Sequence, residues 1–159
     1  MSPLAVTLAT VAALCTAVIF GTDALAALVM RPALAEIDDR SLVQIVGRTH
    51  RFGDQRLPVP GVGSVVAAAA TVVIALLAGR PGAGIAAAAG LVLLLVWLVL
   101  FNRISLPINK VFIAASESGE TLSNARALQD RWDSIITLRA TLQGAALIAF
   151  CVAIALAAA

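Results

Sequence analysis

Four apolar runs, separated by two long polar connections and one short turn, set the pattern of the chain. They extend from Leu4 to Met30, Gly61 to Ala78, Ile85 to Phe101 and Ile135 to Ala158. A helix rises about 1.5 Å per residue and the hydrocarbon core of a bilayer is roughly 30 Å thick, so each run predicts a membrane-spanning helix. Between the first two runs, Leu42, Ile45, Val46, Thr49 and Phe52 recur at three- and four-residue spacing. That spacing predicts an amphipathic helix, with Gln44, Arg48, Arg51 and Gln55 on its other face and Asp38, Asp39 and Ser41 as candidate caps. Pro58 and Pro60 end it. The second connection starts at Asn102 with a proline at Pro107, turns at Ser116 to Thr121 around Gly119, and enters a long helix from about Ser123. Each half thus reads as a span, a polar connection opening with an arginine and a proline, and a second span, which amounts to an internal repeat. The fold class expected is all-α: an integral membrane four-helix bundle with two amphipathic cytoplasmic connections, forming one domain over residues 1–159.

Composition agrees with that pattern. The 159 residues are 61% hydrophobic and 13% charged, where a soluble domain carries about 25% charged residues. Mean hydropathy is +1.01. A net charge of +2, with no basic tail and no interleaving of basic and aromatic residues, excludes a nucleic-acid partner. The start Met1-Ser2-Pro3 lacks a positive region and the first run is longer than a signal peptide's, so this run is expected to remain as a span. Cys15 and Cys151 both fall inside apolar runs and read as small buried side chains. Gly79-Arg80-Pro81-Gly82-Ala83-Gly84 lacks the Lys-Ser/Thr ending of a phosphate loop and reads as a tight turn. Small residues spaced four apart, Gly63 with Ala67 and Ala86 with Gly90, predict close helix packing and offer faces for a homo-oligomer.

Charge distribution then gives an orientation. Arg31, Arg40, Arg48, Arg51 and Arg56 lie in the first connection, and Arg103, Lys110, Arg126 and Arg131 in the second, against Arg80 alone on the opposite side. The excess of positive residues places both connections in the cytoplasm and both termini outside the cell membrane. Asp23 lies eight residues before Arg31, and Arg139 eight residues after Arg131, so each sits about 12 Å in from its flanking arginine. At matching depth the two are expected to pair directly, either as a clasp between spans one and four or as a pair facing a substrate. Asn102 and Asn109 are seven residues apart, as are Trp132 and Arg139. Seven residues make almost two helical turns, so each pair is expected on one face, and the four together to line one cavity at the cytoplasmic end. His50, the only histidine, falls on the amphipathic helix near the same end and is a candidate base.

These residues resemble the small four-span membrane family that includes the anthrone oxygenases of polyketide pathways. The resemblance rests on Arg31-Pro32-Ala33-Leu34 after the first span, on Asn102 with Leu106-Pro107-Ile108-Asn109-Lys110, and on Arg131-Trp132 with Arg139 beyond. It implies oxidation of an anthrone-like polycyclic aromatic by molecular oxygen without a cofactor. Asp23, His50 and Arg139 would then be catalytic, and Asn102, Asn109 and Trp132 would bind the substrate. Members of that family often carry histidine at the fourth residue after the tryptophan, where this chain has Ile136; His50 and Asp23 are left as candidate bases. A base need only produce the electron-rich enolate, which itself reduces oxygen, while Asn, Arg and Trp N–H donors stabilise the oxyanion. One histidine, two cysteines deep in apolar runs and no carboxylate pair on one face give no expected metal site. The alternative is a non-enzymatic membrane subunit or a ligand-binding or assembly protein whose polar junction binds a partner.

Overall fold

The computed structural model describes residues 2–159, and all regular structure in them is helical. The elements are α1 (Pro3–Leu25), a π-helical segment π1 (Ala26–Met30), α2 (Arg31–Ala35), α3 (Asp39–Arg56), α4 (Pro58–Leu77), α5 (Pro81–Leu100), a second π-helical segment π2 (Phe101–Ser105), α6 (Leu106–Ser118) and α7 (Ala125–Ala158). Four continuous helical stretches, Pro3–Ala35, Pro58–Leu77, Pro81–Ser118 and Ala125–Ala158, are long and apolar enough to cross a membrane. Three of them run past the expected ends of their apolar runs, through Arg31–Ala35, Leu106–Ser118 and 125–134.

Both departures from α geometry sit beside a proline. Pro32 and Pro107 have no N–H to donate, and in a regular α-helix each ring would press on the carbonyl four residues back. The chain widens instead. The N–H of Arg31 bonds to the carbonyl of Ala26 and that of Leu106 to the carbonyl of Phe101, each a five-residue step. The proline then falls in the first turn of the next α-helix, where its missing donor costs nothing. The same device stands at the same offset before Pro32 and Pro107.

The contacts gather into two compact units. One comprises residues 2–21, 58–97 and 141–159. Its interior is built from small side chains in layers: Ala5, Ala75, Ala83 and Ala157 in one, Ala9, Ala87 and Ala153 in another. Phe150 is held against Gly90 so closely that a β-carbon there would lie 2.5 Å from the ring, and Gly63 faces the Cys15 thiol at 3.3 Å. The small-residue faces are therefore used within the chain, where removal of side chains lets backbones approach. Large apolar residues such as Leu14, Val66, Leu77 and Ile85 point outward, as a lipid-facing surface requires.

The other unit comprises residues 22–57 and 98–140. Its core gathers Leu34, Leu42, Val43, Val46, Ile108, Phe112, Trp132 and Ile136. Helix α3 starts on Asp38, whose carboxylate accepts from the Ser41 N–H at 3.0 Å and the Ser41 hydroxyl at 2.6 Å. These bonds hold the Asp38 carboxyl below the usual carboxylate range. Its buried stripe is rotated from the expected one: Leu42, Val43, Val46 and Gly47 are inside, while Ile45 and Phe52 are 42% and 49% exposed. The rotation follows from Gly47, which lets α6 approach until a β-carbon at this position would stand 2.4 Å from the Phe112 carbonyl oxygen. Phe52 is covered instead by the guanidinium groups of Arg56 and Arg51, 5.1 and 6.0 Å from its ring centre. Arg126 ties down the turn before α3, donating to the carbonyls of Leu34 and Ile37 and to the Asp39 carboxylate. The α6 helix stops at Gly119, whose φ of +75° suits glycine.

Two glycines of α3 separate close packing from helix propensity. Gly47→Ala is expected to lower stability by about 3 kcal/mol, because the obstacle is backbone and cannot move aside. Gly53→Ala, where the nearest atom is 3.7 Å away, should stabilise by about 0.5–1 kcal/mol. Thermal unfolding of the two variants in detergent checks the opposite signs.

Candidate functional site

The most deeply buried charges lie in the second unit. Asp23 near the end of α1 is 7% exposed and Arg139 on α7 is 4% exposed. An isolated charge in such surroundings costs several kcal/mol, so each needs a partner. The Arg139 Nη2 donates to Asp23 Oδ1 at 2.9 Å, and its Nη1 donates to the Ser105 hydroxyl at 2.6 Å. This is the direct pairing that matched depth predicts. The guanidinium also lies 5.3 Å from the ring centre of Trp132 and 5.4 Å from that of Phe101, so its flat faces meet aromatic rings while its edge meets acceptors.

A second chain of hydrogen bonds starts on the same tryptophan. Trp132 Nε1 donates to Asn109 Oδ1 at 3.0 Å, and the Asn109 amide donates to the Asp54 carboxylate at 3.0 and 3.2 Å. Bonding on both sides fixes which way this amide points. Burial raises the Asp54 pKa, opposed by the bond from Asn109 and by the charges of Arg139 and Lys110. One turn earlier on α3, His50 packs against Trp132 with ring centres 5.3 Å apart. Burial, with the Arg139 charge second, pushes the His50 pKa down to about 4. The imidazole is therefore neutral at pH 7 and has a lone pair to offer.

Beside these rings opens a narrow cleft of about 60 Å³. Met30, Leu34, Val46, Thr49, His50 and Trp132 wall it together with Arg31, Gln129 and Asp133, and the surface they present is mainly apolar.

The structure brings together Asp23, His50, Asn109, Trp132 and Arg139, but Asn102 departs from the expected cavity. Asn102 is exposed, and its amide donates to the Leu98 carbonyl of its own helix at 2.8 Å. The cause is π2: a π turn takes up more residues than an α turn, so seven residues no longer return to the same face. Asn109 is bonded on both sides of its amide, and Arg139 is turned to Asp23 and Ser105, both inside the packed core, so the four residues do not line one open cavity. Ser105, Asp54 and Phe101 join the site unannounced. Asp54 was readable as the residue one turn beyond His50; Ser105 was not, because its inward direction depends on the π turn. Ile136 is fully buried in the core of this unit, a packing position. Among the described residues, no three His, Cys, Asp or Glu side chains come together as a metal site would need. Comparison with protein-family models, curated proteins and solved structures returns no match to this chain.

The buried pair predicts a double-variant pattern. Arg139→Met or Asp23→Leu alone should each cost about 3–5 kcal/mol by stranding the partner, and the double variant should recover most of that loss. Unfolding midpoints of the three proteins test it; additive losses would mean that the two charges do not depend on each other.

Proposed function

We propose that this protein is a multi-pass cell-membrane oxygenase that takes a flat, anthrone-like aromatic into the cleft beside His50 and Trp132. The observation that carries the reading is a neutral imidazole lining an apolar cleft against a tryptophan ring. The resemblance to the anthrone oxygenases supports the choice of substrate class.

In this reading His50 removes a proton from the activated methylene carbon of the substrate. An imidazole of low pKa is a weak base, but an enolate formed beside it favours the imidazolium, as any neighbouring anion does. Arg139 contributes its positive field through the Trp132 ring, being itself held by Asp23 and Ser105. The enolate passes electrons to oxygen and forms a carbon–oxygen bond; the resulting peroxide takes back the proton from His50. Loss of water from the hydroperoxide leaves the ketone, so one methylene and one oxygen molecule give one carbonyl and one water. His50 is the catalytic residue, Trp132 the binding surface, and Asp23, Asn109 and Arg139 hold them in place. No cofactor takes part in this route.

Oxygen uptake by membranes containing the protein and supplied with anthrone tests the proposal. His50→Gln is expected to lower turnover by about 10²–10⁴-fold, the usual worth of a general base, with folded yield unchanged. Wild-type turnover should persist down to about pH 5, because the neutral form of His50 dominates above its pKa of about 4. Undiminished uptake in His50→Gln removes this base, and no uptake by the folded wild type favours a non-enzymatic membrane subunit.

The orientation belongs to the same reading: both termini outside and the two polar connections in the cytoplasm. A cysteine replacing Glu117, in a chain with Cys15 and Cys151 changed to serine, is expected to react with an impermeant maleimide only after the membrane is opened. Labelling in intact cells reverses the orientation.

A further inference from the structure

The apolar cleft does not end at His50. It is walled also by Arg31, Gln129 and Asp133, and these residues wall a second cleft of about 290 Å³ that adds Arg126 and Asp130. One half of this shared trough is apolar and the other polar.

The polar half is rich in acceptors. Arg126 is committed to Asp39 and to the carbonyls of Leu34 and Ile37, which leaves one arginine, Arg31, against two carboxylates, Asp130 and Asp133, along this lining. Gln129, 6% exposed, stands at the junction of the two halves. Its Nε2 donates to Asp133 Oδ1 at 3.0 Å, which turns Oε1 away from that carboxylate. The Oε1 atom is closed off from solvent and has no donor among the described residues. A buried acceptor left in this state is costly, and a group that donates to it recovers the loss.

We infer that the ligand of this trough is an amphiphile: a flat apolar body beside His50 and Trp132, and a hydrogen-bond-donating end received by Gln129 Oε1 and the Asp133 carboxylate. The inference rests on the proposed cleft as a binding site but not on any reaction there. An acceptor-rich end favours a hydroxyl or an amine over a carboxylate or phosphate, which the two aspartates repel. A site built to accept from a donor also discriminates sharply against an analogue that lacks one.

The test is calorimetric titration of the full-length protein in lipid nanodiscs, with empty discs as the blank. The probes are an anthrone carrying a ring hydroxyl, its O-methyl ether, its amino counterpart and its carboxylate counterpart. The hydroxyl or amino compound should bind roughly tenfold more tightly than the ether, and the carboxylate more weakly than either; which of the two donors binds better identifies the end group. Gln129→Met, which keeps length and loses the acceptor, should erase the preference of the hydroxyl compound over the ether. Asp133→Asn, at a half-buried position, should reduce it. Equal affinities for hydroxyl and ether, tighter carboxylate binding, or a preference that survives in both variants would overturn the inference, as would the absence of saturable binding. Oxygen uptake read on the same samples separates the outcomes: hydroxyl preference without turnover retains this inference and removes the oxygenase, and turnover without preference does the reverse.

Discussion

A carboxylate and a guanidinium cannot each be taken out of water alone, and the second unit of this protein depends on that constraint. Asp23 and Arg139 come from opposite ends of the chain, so their pairing at 2.9 Å brings α1 and α7 to one place. The arginine has more donors than one carboxylate can use. It recruits Ser105 from π2 and rests on Phe101 and Trp132, so one buried cation organises residues from three helical stretches. Its field also reaches His50, where it adds to burial in keeping the imidazole neutral. Structural and chemical consequences thus come from the same group.

Prolines explain why the sequence could be read so far and no further. Hydrophobic periodicity makes the four spans legible, since a run of apolar residues with the length of a bilayer has few other uses. Depth along a regular helix makes the Asp23–Arg139 contact legible too, because a rise per residue is insensitive to small changes in twist. Facing is more fragile. Pro107 marks a disturbed helix, yet nothing in the letters says whether the chain will kink, break or widen into a π turn. Widening sends Ser105 in and Asn102 out, which overturns a cavity argued from seven-residue spacing. The same reasoning succeeds on α7, where no proline intervenes and Trp132 and Arg139 do share a face.

The rotated stripe of α3 teaches a related lesson. Counting large apolar residues favours Ile45 and Phe52 as buried, whereas close approach of two helices is governed by the smallest residue on the face. Gly47 fixes where α6 crosses, and the crossing decides that Val43 and Val46 go inside while Phe52 is left to the arginines beside it. Turning α3 by this amount also brings His50 and Asp54 toward Trp132 and Asn109. A glycine with no chemistry of its own therefore sets the position of the titratable groups.

Trp132 is where these threads join. Its N–H is committed to Asn109, and through it to Asp54, so the indole cannot swing. Its ring meets the Arg139 cation and the neutral His50 and still forms a wall of the cleft. A ring pinned at its one polar atom and packed among charged and neutral partners is a rigid surface, which lowers the cost of ordering when a flat molecule binds beside it. The hydrogen-bonded residues behind the tryptophan are turned toward one another and not toward the cleft. Their part is to hold one aromatic face and one imidazole at a fixed spacing; in the proposed reading, recognition of a polar end falls to Gln129 and Asp133.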